Sequence, residues 1–251
     1  VVDIKGGIYP DSNTVILKGF KIQNGIADES NGQYSGGGIL VWNTGDFYFS
    51  NLIVENNYAE TFGGGIRVAG GSNTYIDNSI IRNNSSDQYG SAIYIEDNVT
   101  LDSVAVYSNY NSPQHSTISL TSNKTLNVTN STITGNGSYG ISSSGNNYIN
   151  ITNSIFFDNL SDDNEQQIIG TSIELNINYS LIENGLDGIS VILNDNNEII
   201  FNESIDADPL FCNADNSDFT LYDNSPCIAT GQDGANMGAY GIGCTGWSAD
   251  R

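Results

Sequence analysis

Apolar residues recur along this chain in short alternating runs, and the runs repeat. Segments centred on Ile22, Val54, Ile81, Val106, Ile133, Phe156 and Ile182 align at steps of 32, 27, 25, 27, 23 and 26 residues. Five positions before each centre stands another apolar residue: Leu17, Phe49, Ile76, Leu101, Val128, Ile151 and Ile177. A third series follows at Ile39, Ile66, Ile93, Ile118, Ile141, Ile168 and Ile189, with glycine at 36–38 and 63–65 ahead of its first two members. Three apolar positions per period predict three short strands per coil of a solenoid. Like positions then stack about 4.8 Å apart, and seven coils span on the order of 35 Å. The spacing of three and four that marks a helical repeat is absent, as is a leucine-rich pattern.

Polar positions keep the same register. Asn51, Asn78, Asn130 and Asn153 share one place, with Ser103 substituting once. Asn57, Asn84, Asn109, Asn136 and Asn159 share another, with Gly25 and Gly185 at its ends. Stacked asparagines bond to each other and to turn backbone, and Asn tolerates left-handed turns, so both columns are expected to be structural. The stretches from the Asn turn to the third strand vary most, at 26–35, 58–62, 85–90 and 160–166. Variable loops on one corner of a solenoid are where binding residues usually gather.

Strict alternation turns Ile53, Ile80, Ile155 and Leu181 outward, with Ala105 and Thr132 between them. Strands apolar on both faces usually have both faces covered. A loop, the C-terminal segment or a partner subunit is therefore expected over this stripe. Uncapped coil ends offer a second route to self-association.

Composition then narrows the partners. Only 14% of residues are charged, and 29 acidic against 7 basic residues leave a formal net charge of −22. That balance argues against tracking a nucleic-acid backbone or an anionic membrane. It permits cations, calcium above all, and leaves polysaccharide or protein surfaces as partners. No apolar run is long enough for a membrane span. The chain opens mid-pattern at Val1 with no leader-like segment, as expected of a fragment or mature form. Cys212, Cys227 and Cys244 cluster near the end, which points to a local disulfide, an oxidising compartment and one thiol left over.

The three-position coil with asparagine turns resembles the pectin-lyase-like superfamily of right-handed parallel β-helices. Thr14-Val15-Ile16-Leu17-Lys18-Gly19-Phe20-Lys21-Ile22-Gln23-Asn24-Gly25, followed by Gly36-Gly37-Gly38-Ile39, is similar to bacterial secreted and surface repeat proteins of the polymorphic outer-membrane-protein type. So is the ending, with Asp208-Pro209-Leu210-Phe211-Cys212, Ser225-Pro226-Cys227 and Met237-Gly238-Ala239-Tyr240-Gly241. The resemblance covers nearly the whole chain. It implies an all-β fold: a right-handed parallel β-helix of about seven coils of three short strands over 1–205, with a C-terminal capping segment over 206–251. It also implies a secreted or cell-surface location. Such proteins often carry four cysteines here; with three, the resemblance favours pairing Cys212 with Cys244. It specifies activity poorly, because the superfamily holds lyases, hydrolases, epimerases, adhesins and stalks.

Candidate chemistry is sparse. Hydrolases of this fold use clustered aspartates and a Gly-His-Gly turn, whereas the only histidine is His115 in Pro113-Gln114-His115-Ser116. Lyases use Arg or Lys beside calcium, but Arg82 falls one coil from Glu55 and Arg67 near Glu96, so cross-strand ion pairs account for both arginines. An outward face carrying Trp42, Arg67, Tyr94 and Glu96 is the candidate ligand surface, since aromatic rings flanked by polar groups stack on sugars. Oxygen-rich runs at Asp162, Asp163 and Glu165, at Asp195 and Glu198, and at Asp206 and Asp208 are the candidate calcium ligands; no cofactor is required. The resulting expectation is a non-catalytic extracellular module: a stalk, an adhesin or a carbohydrate- or protein-binding surface. The alternative is a calcium-dependent polysaccharide lyase or glycoside hydrolase.

Overall fold

The computed structural model describes residues 2–4, 14–32, 34–42, 44–111, 115–159, 166–192 and 198–246. Its strands form parallel stacks, met in the order A, B, C, D along each coil. Stack A holds Val2–Ile4, Ile39–Trp42, Ile66–Ala69, Ile93–Ile95, Ser116–Leu120 and Ile189–Ile192. Stack B holds Thr14–Lys18, Gly45–Ser50, Ser72–Asp77, Asn98–Asp102, Thr125–Thr129 and Ile199–Asn202. Two long strands, Tyr139–Thr152 and Ile168–Asn178, serve A with their first half and B with their second. Stack C has seven strands, from Lys21–Gln23 through Ile53–Glu55, Ile80–Arg82, Ala105–Tyr107, Thr132–Thr134 and Ile155–Phe157 to Leu181–Ile182. Stack D adds to the three strands expected. Its two-residue strands, Ile26–Ala27, Tyr58–Ala59, Ser85–Ser86 and Tyr110–Asn111, extend the pairing past the asparagine turn into the first residues of the variable stretches.

All three apolar series stack in the predicted register. Their members are buried except Leu17, Ile22 and Ile189, which lie on the outermost coils and are half-buried. Two further interior columns complete the core. Phe47, Val99, Leu126, Ile149 and Leu175 belong to stack B, and Val41, Val68, Ile95 and Leu120 to stack A.

The two asparagine columns do different work. Asn51, Asn78, Ser103, Asn130 and Asn153 all adopt left-handed backbone, with φ of 53°, 47°, 57°, 48° and 50°. The Asn57 column is buried and hydrogen-bonded. Asn57, Asn84 and Asn109 each donate both backbone N–H and Nδ2 to the Oδ1 of the next asparagine, at 2.9–3.1 Å. Each Nδ2 also reaches a strand carbonyl, as Asn109 does to Ile81 at 2.9 Å. The column ends where Asn159 donates to Gln167 Oε1 at 2.6 Å. A serine ladder runs beside the left-handed column, across the stack C strands from Asn57: Ser79, Ser131, Ser154, Ser180 and Ser204 each accept a backbone N–H from the preceding coil at 3.0–3.1 Å. Gly64 is required by this close stacking, since a Cβ there would lie 2.2 Å from the Ser85 carbonyl oxygen.

The outward stripe on stack C is covered, and the C-terminal segment covers it. Leu221, Cys227 and Met237 pack on Ile155 and Leu181, while Phe219 packs on Ala105 and Tyr107. The Ala239 N–H donates to Thr132 Oγ1 at 2.9 Å, and the Gln232 N–H donates to Asn153 Oδ1 at 2.7 Å. Gly238 permits this seat: its φ is +92°, and a Cβ would meet Ile155 Cδ1 at 2.7 Å. After Ile205 pairs with Leu181 on the last coil, the segment packs along the flank of stack C, so it acts more as a strap than as an end cap. Cys212 and Cys244 form a disulfide within the strap. Cys227 is free and fully buried, and burial pushes its thiol up to about 12. No helix among the described residues is long and apolar enough to cross a membrane.

Candidate functional site

The outer face of stack A contrasts with the covered flank. Alternation along the strands sets one outward column from Arg67 through Tyr94, Ser119, Ser142 and Ile169 to Ser190. The four residues picked out from the sequence come together at one end of it. Arg67 Nε and Nη2 both lie 2.7 Å from Glu96 Oε2, and Arg67 Nη1 donates to Ser35 Oγ at 2.8 Å. The guanidinium lies 4.9 Å from the ring centre of Trp42 and 6.0 Å from that of Tyr94. Such a paired, ring-flanked arginine is held in place and is poorly suited to act as a base.

The variable loops extend this aromatic cluster. Phe62 stacks on Tyr94 with ring centres 4.5 Å apart, and Tyr89 follows at 6.2 Å from Phe62. His115 sets its ring edgewise on Tyr89 at 4.6 Å. His115 Nδ1 is buried without a hydrogen-bond partner, and burial lowers the imidazole pKa, which keeps it neutral at pH 7. Burial, reinforced by Glu96, raises the Tyr94 phenol.

Next to these rings lies an open groove of about 590 Å³. Tyr89, Tyr94 and Tyr139 line it together with the hydroxyl-bearing Ser119, Ser142, Ser143, Ser144, Thr121, Thr171 and Ser190. Leu120, Ile169 and Ile192 add apolar surface, and among the described residues no lining side chain is an Asp, Glu, Lys, Arg or His. The groove offers hydrogen bonds and aromatic faces to a hydroxyl-rich neutral ligand. Among the described residues its lining holds neither the pair of carboxylates that glycoside hydrolysis uses nor a basic residue for elimination. Of the four sequence candidates, Tyr94 reaches it, while Trp42, Arg67 and Glu96 lie beyond its end. The serines were missed, although they occupy the outward column of Arg67 and Tyr94. The legible signal was that column's change from aromatic to hydroxyl side chains.

The ion pair expected between Glu55 and Arg82 is present on stack C at 2.7 Å. Glu55 also pairs with Lys21, and Arg82 donates to the Tyr107 hydroxyl at 2.9 Å. Lys21, with help from Arg82, holds the buried Glu55 carboxyl below its ordinary value against the opposing effect of burial.

Asp206 Oδ1 accepts the Asn184 N–H at 2.9 Å, and Asp208 Oδ1 accepts the Leu210 N–H at 2.8 Å, so both carboxylates cap turns. Glu198 is exposed at the start of the last strand of stack B. Asp162, Asp163, Glu165 and Asp195 lie outside the described residues. Among the described residues, no three His, Cys, Asp or Glu side chains converge as metal ligands would.

Neither the curated proteins nor the solved structures contain a match to this chain. The family model for the right-handed β-helix region matches residues 5–204. With the stacked coils, the inward apolar columns and the buried asparagine ladder, that match identifies the chain as a member of the right-handed β-helix family.

Proposed function

We propose that this protein is a non-catalytic, extracellular or cell-surface β-helix module that binds neutral glycan in the groove on stack A. The observation that carries this reading is the groove's lining: tyrosine rings, hydroxyls and the apolar Leu120, Ile169 and Ile192, with no charged side chain among the described residues, on a molecule whose formal net charge is −22. An uncharged ligand escapes the repulsion that a polyuronate would meet at such a surface. Extracellular placement draws on the disulfide within the strap, on the scarcity of Lys and Arg, and on the resemblance to bacterial surface repeat proteins of the polymorphic outer-membrane-protein type. Calcium enters only as a brace for acidic turns.

The test is a binding and turnover screen of the whole chain against neutral and acidic polysaccharides, with calcium and with chelator. Saturable binding of a neutral glycan, weakened by Tyr94→Ala and without new chain ends, supports the proposal. Calcium-dependent release of unsaturated or reducing ends overturns it in favour of a lyase or hydrolase.

A further inference from the structure

Stack B carries a second uncovered face, built on a different plan. Its outward column runs from Ile16 through Tyr48, Tyr75, Thr100, Asn127, Asn150 and Asn176 to Ile200. The Tyr48 and Tyr75 rings lie parallel, 4.8 Å apart with 9° between their planes, and are 41% and 38% exposed. Past them the column becomes an amide ladder. Asn127 Nδ2 donates to Thr100 Oγ1 at 3.3 Å, and Asn150 Nδ2 donates to Asn127 Oδ1 at 2.9 Å. In this ladder the Asn127 carboxamide uses one N–H and one lone pair, which leaves one donor and one acceptor site over. Where rings give way to amides there is a depression of about 240 Å³, lined by Tyr75, Thr100 and Asn127 among others.

We propose that this face is a second glycan-binding surface, taking a neutral unbranched polysaccharide chain with one sugar ring on Tyr75 and its neighbours along the amides. The site is separate from the groove on stack A, and only the class of ligand rests on that reading. Three features select the occupant. The column from Ile16 to Asn150 is uncharged and its outward neighbours carry Asp46, Asp77, Asp102 and Glu174 against Lys18, so a polyanion is repelled from this face. Tyrosine faces and carboxamides supply the stacking and the paired donor and acceptor that vicinal hydroxyls accept. A protein partner would need a broad apolar patch, and this column separates Ile16, Tyr48 and Tyr75 from Ile200 by four polar residues.

The experiment is calorimetric titration of four whole chains with neutral hexasaccharides of glucose, mannose and xylose. The chains are wild type, Tyr75→Ala, Thr171→Trp to fill the groove, and the double variant. Two sites in the wild type, one in each single variant and none in the double are expected, with Tyr75→Ala weakening its site by at least about tenfold. Thr100→Val, which keeps the side-chain volume, should weaken the same site, so loss of binding is not mistaken for loss of fold. If Thr171→Trp changes nothing while Tyr75→Ala removes binding, this site stands and the groove reading falls. A single site indifferent to Tyr75→Ala overturns the inference, as does a dimer that Tyr75→Ala dissociates without any glycan bound. No binding of any hexasaccharide overturns both readings.

Discussion

The outer faces of stacks A and C share one geometry and meet opposite fates. On C the outward residues are Ile53, Ile80, Ala105, Thr132, Ile155 and Leu181, and the strap of residues 205–246 buries the last four of them. On A the outward residues past Tyr94 are mostly hydroxyl-bearing, and Thr171 and Ser190 are exposed. A solenoid coil has to bury only its inner face. An apolar outer face therefore signals a cover, and an outer face of hydroxyls and rings can stay open to solvent.

Placing a charge on each face breaks the comparison most sharply. Leu181→Asp puts a carboxylate beneath the strap and should cost about 3–5 kcal/mol, whereas Thr171→Asp on the open face should stay within about 0.5 kcal/mol. Chemical denaturation of the two variants reads the difference directly. Comparable losses would mean that the strap is not packed as described.

Opening the Cys212–Cys244 disulfide comes next. The bond closes a loop with a sequence separation of 32, and chain entropy puts its contribution at about 3–4 kcal/mol. Hydrogen exchange should quicken in the strap while amides of the asparagine ladder stay protected. The buried Cys227 should then begin to react with a thiol reagent.

The two amide ladders sharpen the contrast on a smaller scale. Asn109→Ala strands buried carbonyls of stack C and the Asn84 donors, for a loss of about 1–3 kcal/mol. Asn150→Ala on the open face of stack B should cost about 0.5 kcal/mol, because water replaces the lost bond. Thermal unfolding of the pair checks the ratio.

The smallest effect is one of pH. Glu55 titrates below its ordinary 4.5 in the folded chain because Lys21 and Arg82 favour the carboxylate. Its contribution is therefore complete above pH 4.5 and is lost as the pH falls through the folded value. Glu55→Gln should flatten the acid limb of the stability profile below pH 4.5 and leave pH 7–8 unchanged in slope. An unaltered acid limb would remove Glu55 from the account.

The coil was legible in the sequence because its constraint is periodic. An inward residue such as Ile81 touches Val54 and Val106 above and below, so a fixed offset in sequence becomes a column in space. The Arg67–Glu96 and Arg82–Glu55 pairs were legible for the same reason. Stack D was not, because two-residue strands such as Ser85–Ser86 leave no apolar alternation. The groove was half legible. Tyr94 stood out as an aromatic, but Ser119 and Ser142 look like any other serine until the stacked strands set them around one hollow. The strap's path was not legible either, since Phe219 and Ala239 find partners more than a hundred residues earlier, at Ala105 and Thr132.

The most direct test of the account is a hydrogen-exchange map of the whole chain with and without a bound neutral oligosaccharide. The account predicts added protection on the open faces, foremost at Ser119, Ser142 and Thr171, and none along the strap from Phe219 to Tyr240. Protection centred on the strap, with the groove unchanged, would contradict it.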